Sequence, residues 1–245
     1  MACQSPRPAD DEPLNAAFDD RPEDYDALRA TGHMARRRLD HFAGVVAACA
    51  GDVLEIGCGT GTLLRALAAA HPDRRFVGID PLPGYTDYAR RLAGHEGLTN
   101  VAFATGTGEE LDRLVPPRSF GLVISVDALH HVTDVDRVVA GARRATADGA
   151  RWCLMEPNRW HPYVWLYHAL TPGERTFPVR DFLRRSRRGG WTPAGRRTMF
   201  ALPSGVPRLP AALGRAERWL ERIPPLAGAV VLDLRRGPVS AARDR

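Results

Sequence analysis

The chain has 245 residues, 44% of them hydrophobic and 26% charged, which suits a soluble protein with one sizeable core plus decorations. No run of ~18 apolar residues occurs, so a transmembrane helix is not expected. The net charge of +5 conceals an asymmetry: residues 1–150 carry 16 Arg against 22 Asp and Glu, net −6, and residues 151–245 carry 18 Arg against 7, net +11, with no lysine anywhere.

Residues 1–22 lack an apolar core and read as a disordered lead-in rather than a signal peptide. Residues 23–50 read as helices, with Tyr25, Leu28, Leu39, Phe42, Val45 and Val46 at roughly helical spacing. After the Gly51-Asp52 turn, Val53–Ile56 is a first strand and Thr62–Ala70 a helix. Arg75–Asp80 is a second strand and Gly84–Ala93 a helix. Asn100–Ala104 is a third strand. Phe120–Val126 is a nearly continuous apolar run, as expected of a strand covered on both faces. Asp134–Ala145 is a helix, Gly149 a turn and Arg151–Met155 a fifth strand. Beyond Glu156 eleven prolines punctuate the chain, and Trp160, Tyr163, Trp165 and Tyr167 crowd one segment. A helix at Arg180–Arg188, a strand near Thr198–Leu202, a helix at Ala211–Arg222 and a strand at Gly228–Leu234 complete the series. Alternating strands and helices predict an α/β protein with a doubly wound, mostly parallel sheet. Residues 23–245 form a single domain, with a core at 51–160 and a cap plus closing strands at 161–245. Cys3, Cys49, Cys58 and Cys153 form no zinc-ligand pattern, so no metal site is predicted, and free thiols suit a reducing cytoplasm.

Val53-Leu54-Glu55-Ile56-Gly57-Cys58-Gly59-Thr60-Gly61 is a strand, a tight glycine turn and a helix start. Glycines admit a ligand close to the backbone, and the helix start offers free N–H groups. The spacing is not that of a dinucleotide fingerprint, and a phosphate loop would need a lysine. Glu55 disfavours a pyrophosphate and suits a ligand with an amino group. The stretch resembles motif I of the class I S-adenosylmethionine-dependent methyltransferases, whose cofactor carries a sulfonium and an amino-acid tail. That resemblance implies a seven-stranded Rossmann-like sheet closed by a hairpin with an antiparallel final strand.

Further site residues follow at the carboxyl ends of the strands, where such sheets bind ligands. By the resemblance, Asp80, followed by Pro81, accepts the ribose hydroxyls; a helix cap is the alternative. Tyr85 lies against adenine or packs on the core. Gly106-Thr107-Gly108-Glu109-Glu110-Leu111 resembles the family's adenine loop, with Thr107 where an aspartate is common and Glu109 available to compensate. Phe120 to Asp134 resembles the fourth-strand motif, with Gly121 replacing its usual aspartate and Val126 beside the methionine part. Tyr25 folds over the cofactor, as aromatic residues before motif I do in relatives.

Asp127, His130, His131, Glu156 and His161 are the candidate bases. On a helical turn His130 and His131 would diverge by ~100° and could not both face one site; the pair suits a structural role as well as catalysis. Glu156-Pro157-Asn158 resembles a small-molecule subgroup, with Glu156 on the acceptor side and the aromatic run lining a pocket or simply packing. The motifs of base, ribose and cytosine C5 methylation are absent. A small metabolite of specialised metabolism is therefore the favoured acceptor, at oxygen, nitrogen or carbon. Nucleic acid is disfavoured as a partner, and the basic C-terminal third suits a solvated face or an anionic membrane surface. Rival readings are a lipid- or quinone-directed methyltransferase, a non-catalytic cofactor-binding module and a nicotinamide-dependent oxidoreductase.

Overall fold

A computed structural model describes residues 21–171, 174–202 and 209–237. The predicted lead-in lies outside them, apart from Arg21 and Pro22, as does Cys3. Seven strands form one sheet: β1 (Asp52–Ile56), β2 (Phe76–Asp80), β3 (Val101–Thr105), β4 (Phe120–Val126), β5 (Thr146–Pro157), β6 (Trp191–Met199) and β7 (Ala229–Arg236). Their order is β3-β2-β1-β4-β5-β7-β6. β1 to β5 pair in parallel, and β7 runs antiparallel to both β5 and β6. The predicted closing hairpin is therefore present.

Helices cover both faces. α1 (Pro22–Ala30), α2 (Gly32–Ala47), α3 (Thr62–Ala70) and α4 (Pro83–His95) precede β3; α5 (Leu111–Leu114) and α6 (Val135–Ala145) flank β4; α7 (Pro162–Leu170), α8 (Val179–Arg188) and α9 (Ala211–Leu220) belong to the C-terminal part. Proline opens α1, α4 and α7, where its missing N–H costs nothing. Alternation along the strands splits the core into two layers. Val53, Leu122, Ile124, Cys153, Met155 and Val231 pack with Phe42 and Leu64 on one face. Leu54, Ile56, Val123, Trp152, Leu154 and Leu232 pack with Val139, Phe182 and Trp191 on the other.

Two strands differ from expectation. β5 starts at Thr146, because Thr146 pairs with Phe120 and the ladder resumes only at Leu122 and Arg151. Gly149 makes the intervening bend at φ 75°. β6 starts at Trp191 and ends at Met199, not near Thr198–Leu202. Pro193 and Gly195 disguise it, and both are tolerated because β6 is the sheet's edge and bulges there. Gly121 also has a local cause: a Cβ there would fall 2.0 Å from the Ala50 carbonyl oxygen. An aspartate cannot stand at that position.

Candidate active site

The parallel strands end along one edge, and the glycine loop lies there. Gly57, Gly59 and Gly61 all adopt positive φ, at 74°, 54° and 73°. A Cβ would meet Ala128 Cβ at 2.3 Å from Gly57 and the Phe103 ring at 2.6 Å from Gly61. The loop is pinned by the Gly57 and Cys58 N–H groups, which donate to the Ile79 carbonyl. Asp80, at the end of β2, accepts from Gly59 N (2.7 Å) and Leu82 N (3.1 Å). Burial raises its carboxyl pKa, against the pull of those two N–H groups. Asp26 of α1 accepts from Thr60, Thr62 and Arg65, so α1 is tethered to the loop. That tether lays Tyr25 over Gly59, with its ring 5.0 Å from that of Tyr85. Tyr85 is buried and packs under Tyr25.

A cavity of ≈ 190 Å³ opens between α1, α2 and the start of α3; Tyr25, Arg29, Arg38, Glu55, Gly57, Cys58 and Val126 are among its walls. Glu55 is 2% exposed, and its Oε2 makes no hydrogen bond. Burial pushes its pKa up to about 8, although Arg29 and Arg38 pull the other way. Arg38 is pushed down to about 10 by burial and then by Arg29. Arg29 donates to Asp127 Oδ2 at 2.7 Å, and Arg38 lies 3.8 Å from the same oxygen. Burial opposes the Asp127 charge, but the two guanidinium groups overcome it and hold the carboxyl below its usual range. Asp127, a predicted base, is thus held as a paired carboxylate.

A second cavity of ≈ 650 Å³ shares Tyr25, Arg29 and Arg38 with the first. Its walls include Asp127, His130, His131, His161, His168 and Glu174. Both adjacent histidines face it, with rings 4.0 Å apart, which corrects the expectation that they diverge. The helical argument fails because residues 127–131 form a turn opened by Asp127 at φ 51°. Glu156 is also placed differently from expectation. It is fully buried and accepts from the Ala128 and Leu129 N–H groups through Oε1 (3.2 and 2.8 Å). Its Oε2 receives His130 Nδ1 at 2.8 Å. Glu156 therefore positions the turn and His130 and does not line the acceptor cavity. Burial lowers the His130 pKa, but bonds to Glu156 and Glu174 win and raise it to about 10. His131 is lowered to about 4 by burial and by His130. His161 accepts from Val164 N as the cap of α7.

Of the expected cofactor residues, Gly59, Gly61, Asp80, Pro81, Tyr85, Thr107, Gly108 and Glu109 line neither cavity. Thr107 caps a short turn with Glu110. Glu109 Oε1 accepts from the Thr133 and Asp134 N–H groups, which ties it to the loop before α6. Sequence reasoning missed Arg29, Arg38, His168 and Glu174. Arg29 sits four residues after Tyr25, on the same helix face, and that spacing was a usable signal. Among the described cysteines, Cys49, Cys58 and Cys153 are free thiols. No described helix is long and apolar enough to cross a membrane.

Residues 53–149 match a family model described as a methyltransferase domain. The uncharacterized methyltransferase YcgJ of Bacillus subtilis is 32% identical over 104 residues, 42% of this chain and 40% of that protein. Ajmaline N-methyltransferase of Rauvolfia serpentina is 31% identical over 131 residues, 53% of this chain and 41% of that protein. The chain thus spans about two fifths of the length of these curated relatives. A structure from Thermotoga maritima, described as an S-adenosylmethionine-dependent methyltransferase and possible histamine N-methyltransferase, superposes with TM-score 0.65 at 19% identity. It covers 90% of this chain and 97% of that one. The crystal structure of YcgJ gives TM-score 0.60 at 18% identity, covering 83% and 99%. At these identities the structural likeness speaks for the fold.

Proposed function

We propose that the chain is a class I S-adenosylmethionine-dependent methyltransferase, on the match of residues 53–149 to a methyltransferase domain model, and that it moves the methyl group of S-adenosylmethionine to a small-molecule acceptor, at oxygen, nitrogen or carbon. The observation that carries this reading is the pair of cavities meeting at Tyr25, Arg29 and Arg38, with the buried, unpartnered Glu55 Oε2 in the wall of the smaller one. The residues present fit the cofactor. Glu55 meets a cationic amino group, Arg29 and Arg38 offer charge to a carboxylate, and Asp80 keeps acceptor capacity for ribose hydroxyls. The bound cofactor supplies an electrophilic methyl on a cationic sulfur. The protein's share is orientation and exclusion of water, by Tyr25 above the glycine loop and by α7 beside the larger cavity. Specialised metabolism is the proposed setting, and free thiols suit a reducing cytoplasm.

Incubation with methyl-labelled cofactor and fractionated extracts tests this. Label in a low-molecular-mass product supports the reading, and label accumulating in RNA or protein contradicts it. One observation favours a second reading, a lipid- or quinone-directed enzyme working at a membrane surface. Trp160, Tyr163, Trp165 and Leu170 are exposed on and beside α7 by 58, 69, 54 and 73%, within the strongly basic C-terminal third. Salt-sensitive co-sedimentation with anionic vesicles supports it; no binding at low salt rules it out.

A further inference from the structure

Among the described residues, one group of side chains has the donor set and spacing for a metal ion. It contains His130, His131 and Glu174, whose ligand atoms all lie within 4.8 Å of one another. Two regions distant in sequence supply the cluster: the turn after β4, with His130 and His131, and the end of α7 with the irregular stretch before α8, with His168 and Glu174. Glu174 Oε2 stands 3.4 Å from His130 Nε2, 3.9 Å from His131 Nε2 and 4.0 Å from His168 Nε2. Zinc–nitrogen and zinc–oxygen bonds of ~2.0–2.1 Å in a tetrahedron put neighbouring ligand atoms about 3.4 Å apart. The first separation meets that value, and the other two exceed it by about half an ångström, within reach of small side-chain rotations.

The surroundings of the cluster are those of metal ligands. His130 gives its Nδ1 to the buried Glu156 carboxylate, and His168 Nδ1 lies 2.7 Å from the Arg175 carbonyl. A carboxylate and a carbonyl only accept, so both Nδ1 atoms carry hydrogen. That orientation aims both Nε2 atoms at Glu174. Carboxylate or carbonyl partners on the far nitrogen are how metal-bound imidazoles are usually fixed. A cation entering between the imidazoles and Glu174 displaces the His130 Nε2 proton that faces Glu174, and electron-pair donors then converge on it. His130 and His131 also line the ≈ 650 Å³ cavity, so that point is open on the acceptor side.

We propose that His130, His131 and Glu174 bind a divalent transition-metal ion of the zinc class, with His168 as the fourth donor within reach and one position open to the acceptor cavity. Imidazole nitrogens favour such ions over magnesium or calcium. Resting on the methyl-transfer reading, the open position takes an oxygen-bearing acceptor. The metal-bound hydroxyl loses its proton to solvent at the cavity mouth, and its oxygen forms the new bond to the methyl carbon. The carbon–sulfur bond breaks with its electron pair returning to sulfur, leaving an ether and a neutral thioether.

The test uses the full chain stripped with chelator and titrated with Co(II) and with Zn(II), by absorption and calorimetry. One equivalent with micromolar or tighter Kd, and intense visible bands of four-coordinate Co(II), are expected. Glu174→Gln and His131→Ala should each weaken binding at least ~10-fold, and Glu156→Gln, through His130, by ~10–100-fold. Circular dichroism of each variant separates loss of a ligand from loss of the fold. No stoichiometric binding, or binding unchanged in well-folded Glu174→Gln and His131→Ala, overturns the proposal. Because the metal readout needs no cofactor, titration of the same samples with S-adenosylhomocysteine tells failure of the metal site from failure of the methyltransferase reading.

Discussion

Glu55 offers a sharp test of how the smaller cavity works. Its pKa of about 8 means that roughly nine tenths of the free protein carries it protonated at pH 7. A ligand with a cationic amino group binds the ionised form. Ionising Glu55 at pH 7 costs about 1.4 kcal/mol, one pKa unit's worth. Affinity for S-adenosylhomocysteine should therefore rise about tenfold from pH 6 to 7, rise less from 7 to 8, and level off above 8. Binding at pH 7 should release roughly 0.9 proton, read from calorimetric enthalpies in buffers of different ionisation enthalpy. Glu55→Gln should abolish both the slope and the release. The sign also fixes the stability of the ligand-free protein. The folded pKa lies above the unfolded one, so the contribution is intact below about pH 4.5 and is lost as pH rises through about 8. A pH-independent Kd between 6 and 8, with no proton release, refutes the reasoning.

Other consequences can be measured in parallel. Arg38→Met should weaken S-adenosylhomocysteine by ~10–100-fold, the worth of a hydrogen bond to a charged group, yet leave 5′-methylthioadenosine, which lacks the amino-acid tail, unchanged; equal loss for both ligands would count against the placement of the tail. Gly61→Ala forces a Cβ into the Phe103 ring at φ 73° and should cost more than ~1 kcal/mol in urea unfolding, whereas an unchanged midpoint would contradict the packing. Arg37 pairs with the buried Glu217 and with Glu221, tying α2 to α9. Arg37→Met leaves Glu217 with His33 and the Leu202 N–H, and Glu221 with the Phe200 N–H, and should destabilise by ~1–3 kcal/mol, judged by the same unfolding assay.

The legible parts of the sequence were those where local chemistry and tertiary need coincide. β1 to β4, α3, α4 and α6 announced themselves as apolar runs and periodic helices bounded by Gly or Pro. The glycine loop was legible because positive φ and close approach leave only glycine. β6 was not, because an edge strand facing solvent can carry Pro193, Gly195, Arg196 and Arg197, which locally read as a turn. Glu156 looked like an acceptor-side residue from its place at the end of β5, yet its register points it at the Ala128 and Leu129 N–H groups. His168 and Glu174 had no sequence signal at all. Their meeting with His130 depends on α7 folding back over the strand ends, and nothing periodic in the chain encodes that.

The central claim is tested most directly by calorimetric titration with S-adenosylhomocysteine and, separately, with NADH, each repeated on Asp80→Ala. The account predicts micromolar binding of S-adenosylhomocysteine alone, lost in the variant. Binding of NADH in its place, or S-adenosylhomocysteine binding indifferent to Asp80, would contradict it.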